Sequence, residues 1–250
     1  GNSSLSGGGT FTSGDLRVLG GSTVSGNTAS DEGGGIFSIA SLPAKLVVTN
    51  STISGNTAVD NGGGISAFDG HTEITASLIT GNQTQSNAGG ISTVVEGGGG
   101  GSLIITSSTI SSNDAGLSGI GNGGGIFNDN DSVTINFSTI SGNDAANDGG
   151  GIFTRGVPNT NATLDVQNSA FFDNRAGVID GIGNSEDGGD GGAISNDGDT
   201  VMLSNVTISR NSAATEGGGL YQGGTSSASM LVINVTLFSN TAQVGSNIFT

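Results

Sequence analysis

Leu46-Val47-Val48-Thr49-Asn50-Ser51-Thr52-Ile53-Ser54-Gly55-Asn56, followed after a short gap by Gly62-Gly63-Gly64-Ile65, is the stretch on which the fold rests. With small changes it is written eight times along 250 residues. The first phrase closes on Asn27, Asn56, Asn82, Asn113, Asn143, Asn174, Asn211 and Asn240. The second closes on Ile36, Ile65, Ile91, Ile126, Ile152, Ile194, Leu220 and Ile248. Self-similarity at a period of roughly 30 residues marks a stacked architecture, in which each unit buries its apolar face against the next.

Each phrase is short, β-branched and bounded by Gly, Asn, Asp or Ser, which is the strand signature. Leu46-Val47-Val48 and Ser51-Thr52-Ile53-Ser54 are two strands, and the glycine phrase starts a third, as in Gly125-Ile126-Phe127. No useful window has helical apolar spacing. The expected fold is all-β, a right-handed parallel β-helix of about eight coils with three short strands per coil. Period 2 turns Ile53 inward and Thr52 and Ser54 outward. The inward column then reads Val24, Ile53, Ile79, Ile110, Ile140, Phe171, Ile208 and Leu237, apolar in every coil.

The asparagine column is read as structural. Asn tolerates the left-handed conformation of a sharp turn, and stacked amides can bond from coil to coil as a ladder. The triple glycines supply positive φ and close backbone approach. They lead into strands, without the Lys or helix start that a phosphate cradle needs.

Composition fits this plan. Glycine accounts for 49 residues, proline for 2, and hydrophobic residues for only 32%. A solenoid needs few inward residues per coil because neighbouring coils supply the rest. The net charge of −16 disfavours phosphate backbones and anionic lipid. Cysteine is absent, so disulfides and thiolate metal sites are excluded. No apolar run approaches the ~20 residues that span a bilayer. The chain is expected to be one domain, 1–250, with a longer acidic loop insertion at 177–192.

Gly191-Gly192-Ala193-Ile194 and Phe171-Phe172-Asp173-Asn174, with looser forms such as Gly34-Gly35-Ile36 and Ile53-Ser54-Gly55-Asn56, resemble the polymorphic outer-membrane protein repeat of chlamydial surface proteins. The Ser-Thr-Ile-Ser-Gly-Asn form is also similar to repeats of large secreted bacterial proteins. The resemblance implies a β-helix in an extracellular or cell-surface setting, with an adhesive or structural role. It transfers no catalytic residue.

Few residues suit catalysis. Parallel β-helices that cleave polysaccharides need clustered carboxylates, or carboxylates with Arg or Lys. The only basic residues are Arg17, Lys45, Arg155, Arg175 and Arg210, of which Arg175 and Arg210 flank the asparagine column in adjacent coils. One histidine, His71, lies in a Gly-Asp-Gly-His turn, and a single imidazole makes no zinc site. In the insertion, Asp180, Glu186, Asp187 and Asp190 offer oxygen ligands of the kind Ca²⁺ prefers. An outward Thr stripe (Thr23, Thr52, Thr109, Thr139, Thr207 and Thr236) resembles the ice-contacting face of solenoid antifreeze proteins, but Leu78 and Ala170 interrupt it.

The expected function is a non-enzymatic extracellular structural or adhesive β-solenoid. Its uncapped terminal coils would self-associate head to tail into a filament. Surface glycans and host or matrix proteins are the other expected partners, without nucleic acid or membrane insertion by this segment. No cofactor is required beyond the candidate calcium. Two alternatives stay open: a polysaccharide-binding or polysaccharide-cleaving β-helix, and an ice-binding solenoid.

Overall fold

The computed structural model describes residues 1–39, 45–95, 101–156, 162–177, 189–224 and 229–250. All regular elements among them are β-strands, and strands of successive coils pair in parallel and in register. One coil shows the plan. Lys45–Thr49 and Thr52–Ser54 are followed by Thr57–Ala58 and then Ile65–Phe68. Equivalent strands stack into four sheets, numbered 1 to 4 in that order. Sheets 1 to 3 have eight strands each and sheet 4 has nine, a solenoid of about seven turns.

Four strands per coil replace the three expected from the sequence. The additional one is the two-residue strand directly after the column asparagine. Two residues are too few for alternation to show. Its inward position is also small: Ala29, Ala58, Thr84, Ala115, Ala145, Ala176 and Ala213, all buried.

In sheet 2 the inward residues Ile53, Ile79, Ile110, Ile140, Phe171 and Ile208 are fully buried, and their flanking residues face out. Sheet 1 adds two inward residues per coil, such as Leu46 and Val48, and sheet 4 adds Ile65. These columns form one continuous apolar cluster along the axis. At ~1.5–3 kcal/mol per buried aliphatic side chain, each coil is stabilised chiefly by contact with its neighbours.

The corner between sheets 2 and 3 carries the asparagine ladder. Asn143 is typical. Its Nδ2 donates to Asn174 Oδ1 at 2.9 Å and to the Ile110 carbonyl at 3.1 Å, and its backbone N–H donates to Asn174 Oδ1 at 3.1 Å. Its Oδ1 accepts from the backbone N–H and Nδ2 of Asn113, both at 3.0 Å. The same pattern runs from Asn27 to Asn240. Asn2 adds a rung at one end, and Asn247 Oδ1 accepts from Asn240 at the other. The left-handed turn, however, is made by the preceding residue: Gly55 (φ +60°), Ser112 (+54°), Asp173 (+58°) and Arg210 (+56°) have positive φ, while the ladder asparagines do not. An αL residue one position earlier frees the asparagine to extend along the axis and bond.

A second ladder stands at the corner between sheets 1 and 2. The backbone N–H of Ser51 donates to Ser77 Oγ (3.2 Å), Ser77 to Ser108 (3.1 Å), Ser108 to Ser138 (3.2 Å) and Ser138 to Ser169 (3.1 Å). Val206 then replaces the serine and ends it.

The glycine phrase divides its work. The first glycine takes positive φ, as at Gly62 (+68°). The second brings coils together: a Cβ on Gly124 would lie 2.4 Å from the Asp144 carbonyl oxygen of the next coil.

Asn143→Ala removes these bonds inside a dry corner and leaves both Asn113 donors without their acceptor. The expected loss is about 3 kcal/mol or more, read as a lower urea midpoint. A loss under about 1 kcal/mol would show that the ladder follows the fold instead of supporting it.

Candidate functional site

The outer face of sheet 4 is where chemistry collects. The residue after each glycine phrase points outward in register: Phe11, Phe37, Ser66, Ser92, Phe127, Phe153, Ser195, Tyr221 and Phe249. Neighbouring rings stack. Phe127 and Phe153 have centroids 5.6 Å apart and planes within 6°, and Tyr221 and Phe249 are 5.6 Å apart and within 10°. Phe127 and Phe153 face outward yet are nearly buried, packed with Ala88 and Val94.

Beside this floor runs a wall made by the residue before the first position of each glycine phrase, a position held by Ala88 in one coil and by glycine in the others. Rung to rung, Asn61 Nδ2 donates to Glu32 Oε1 (3.0 Å) and Asn87 Nδ2 to Asn61 Oδ1 (3.2 Å). The Asn122 amide donates to Asn87 Oδ1 (2.9 Å), and the Asp148 amide to Asn122 Oδ1 (3.0 Å). Asp148 Oδ1 then accepts the Asp190 amide, and Asp190 Oδ1 the Glu216 amide, both at 2.9 Å. From Asn61 onward the wall thus changes from carboxamides (Asn61, Asn87, Asn122) to carboxylates (Asp148, Asp190, Glu216).

Floor and acidic wall meet at a cleft of about 400 Å³. Phe153, Ser195 and Tyr221 form its base, Asp148 and Asp190 one side, and Arg155 and Asp197 the other. Burial raises the pKa of Asp148, only partly offset by the amides of Asp190 and Gly189. Tyr221 is raised by burial and by the charges of Asp190, Glu216, Asp148 and Asp197. Arg155 is raised by its hydrogen bond to Asp129. A larger depression of about 510 Å³ over the corner of sheets 1 and 2 is lined by no charged residue.

The sequence candidates fall as follows. Asp180, Glu186 and Asp187 lie outside the described residues. Asp190 belongs to the acidic wall, where its Oδ1 also accepts from the Thr215 hydroxyl. No group of three or more His, Asp or Glu among the described residues is placed to hold a metal. His71 Nδ1 lies 2.7 Å from Ser102 Oγ. Arg175 and Arg210 are held by different aspartates, Asp144 (2.6 Å) and Asp173 (2.8 Å). The Thr stripe is in register, with Leu78 and Ala170 standing in its line. The floor and wall columns escaped the sequence reading, although each holds a fixed position beside the glycine phrase.

Residues 21–39 match the family model of the Chlamydia polymorphic membrane protein repeat. This coil carries a repeat of that type. The repeat takes in the strand Thr23–Ser25, the ladder residue Asn27, the glycine turn and the strand Ile36–Ile39. Its matched positions are therefore those of the ladder and the close-packed turn. No curated protein and no solved structure matches the chain.

Within the solenoid lies a second polar group that the sequence reading did not single out. Asn128 Nδ2 donates to Thr154 Oγ1 (2.9 Å), and the Thr154 hydroxyl donates to Asp199. The neighbouring Asp131 has a pKa raised to about 7, chiefly by burial, with hydrogen bonds from Thr93 and the Gly101 amide opposing it. A carboxyl whose folded pKa lies above its unfolded value binds more protons in the native state, so stability falls as pH rises. That fall starts near the unfolded value, about 4, and is complete above about 7. Asp131→Asn should flatten the decline by about 2–4 kcal/mol between pH 4.5 and 7.5, measured by urea unfolding at each pH. An unchanged slope would place the titration elsewhere.

Proposed function

We propose that this chain is a non-enzymatic, extracellular, adhesin-like β-solenoid whose contact surface is the outer face of sheet 4. One observation carries the reading. The repeated Asn, Ser and Gly positions are engaged in holding coil to coil, while Phe153 and Tyr221 meet Asp148, Asp190 and Asp197 in one open cleft on sheet 4. The polymorphic membrane protein repeat at 21–39 supports a cell-surface setting. A groove rather than a closed pocket suits an extended partner, since aromatic side chains supply large contact area and polar groups at the rim set orientation.

Self-association belongs to the same proposal as a separate element. A copy that continued the asparagine ladder would have to displace Asn247 from Asn240.

The test is attachment. Beads coated with the full chain should adhere to an epithelial monolayer or to reconstituted extracellular matrix. Beads carrying Tyr221→Ala, with circular dichroism unchanged, should adhere several-fold less, because a central aromatic of an interface is commonly worth about 1–2 kcal/mol or more. Attachment equal to that of uncoated beads would remove the adhesive reading and leave a purely structural one.

A further inference from the structure

The aromatic floor is broken at one rung inside the acidic stretch. Ser195 stands between Phe153 and Tyr221, where neighbouring rungs carry stacked rings. Between the stacked pairs Phe127–Phe153 and Tyr221–Phe249, a serine in place of a ring leaves a slot for one flat group. At its base the Ser195 side chain is 1% exposed, and its Oγ has no hydrogen-bond partner. Ser92 Oγ in the same column is also unpartnered, but only Ser195 lines the acidic cleft, where its hydroxyl can accept a donor.

The charge around the slot selects the sign of that partner. Asp148, Asp190 and Asp197 line it against one cation, Arg155, which is already bound to Asp129 at 2.5 Å. None of the other Lys and Arg side chains lines the cleft. Lys45, Arg175 and Arg210 are paired with Glu73, Asp144 and Asp173, and Arg17 lies in sheet 1 at the far end of the solenoid. A neutral ligand would leave these carboxylates uncompensated, and an anion would be repelled.

Twice in the molecule a ring and a carboxylate together hold a guanidinium. The Arg155 guanidinium lies over the Phe127 ring, 5.8 Å from its centroid, while bonding Asp129 of the same strand. The Arg210 guanidinium lies over Phe172, 5.5 Å from its centroid, while bonding both oxygens of Asp173. Each time, a ring and a carboxylate of one coil hold an arginine of the next. The coil after Asp197 offers no such arginine, because Gly223 follows Gln222, the in-register partner of Asn196.

We propose that the cleft at Ser195 is a seat for an arginine side chain presented by a partner protein. Its flat guanidinium enters between Phe153 and Tyr221 and is neutralised by Asp197 and the acidic wall. A guanidinium fits where an ammonium does not, because it is planar, stacks on aromatic faces and brings several donors in one plane. The Ser195 hydroxyl accepts one of those donors. This proposal rests on the reading of sheet 4 as the contact surface and names the chemistry it recognises.

The test uses the full chain, N-acetyl-arginine amide and tyrosine fluorescence. Tyr221 is the sole tyrosine and there is no tryptophan, so the emission reports on this cleft alone. The arginine probe should change the emission saturably, and more weakly as salt rises. N-acetyl-lysine amide should bind at least about fivefold more weakly. Ser195→Phe continues the stack as Phe127 and Phe153 do, so it should fill the slot and weaken the arginine probe about tenfold or more. If that variant does not fold by circular dichroism, Asp197→Asn replaces it, with a loss of about fivefold or more. The proposal is overturned if the arginine probe gives no saturable change. Equal binding by a folded Ser195→Phe variant, or preference for the lysine probe or a neutral oligosaccharide, would overturn it too. Attachment without probe binding sinks the seat and keeps the adhesive reading. Probe binding without attachment does the reverse.

Discussion

The structure depends on a buried carboxamide that satisfies itself only through its neighbours. An asparagine side chain has two donors and two acceptor sites, and in a dry interior each left unpaired costs about 1–3 kcal/mol. In the corner between sheets 2 and 3 the inner asparagines fill all of these by bonding the coil before and the coil after, as Asn82, Asn113 and Asn143 do. No coil can satisfy its asparagine alone. Register follows, because a slip of one residue would take the carboxamide off its partner and turn the inward isoleucines to solvent. A chain with little apolar surface per coil thus obtains a defined stacking.

The glycines and the αL residues are consequences of that bond. For the amides to meet, successive backbones must lie at ordinary strand spacing through a corner, without side chains between them. Gly124 against Asp144 shows what a Cβ would meet there. The chain must also turn sharply just before the asparagine without spending the asparagine on the turn. Gly55 and Gly142 do this at no steric cost, whereas Ser112, Asp173 and Arg210 do it as L residues with positive φ. Arg210 gains a use from that strain, since its side chain leaves the corner to reach Asp173 and Phe172.

Much of this was legible in the sequence. The period, the inward column ending at Leu237 and the asparagine column fix the solenoid and its register before any coordinates. The fourth strand was not legible, because Thr57–Ala58 is too short to alternate. Nor was the division of labour at the turn, since the preference of asparagine for αL also describes a residue that sits beside one. The candidate site was hidden differently. Its residues repeat a position but change in identity, and a search for sameness passes over them.

A column identical in every coil presents the same surface everywhere and distinguishes nothing along its length. Information enters where a column breaks, and two such breaks are Ser195 in the aromatic floor and the change from Asn122 to Asp148 in the wall. These two breaks fall in adjacent stretches of the same groove, and the geometry of stacking makes them act together. Strands lie ~4.8 Å apart, well inside the ~8 Å screening length of physiological salt. Carboxylates of successive rungs therefore repel one another appreciably, as the raised pKa of Asp148 reflects after its burial. The wall nonetheless holds them in line, because each gives one oxygen to a backbone amide of the next rung. Backbone bonding fixes the charges in an arrangement that their mutual repulsion alone would not choose, and that repulsion is what a cation entering the groove relieves.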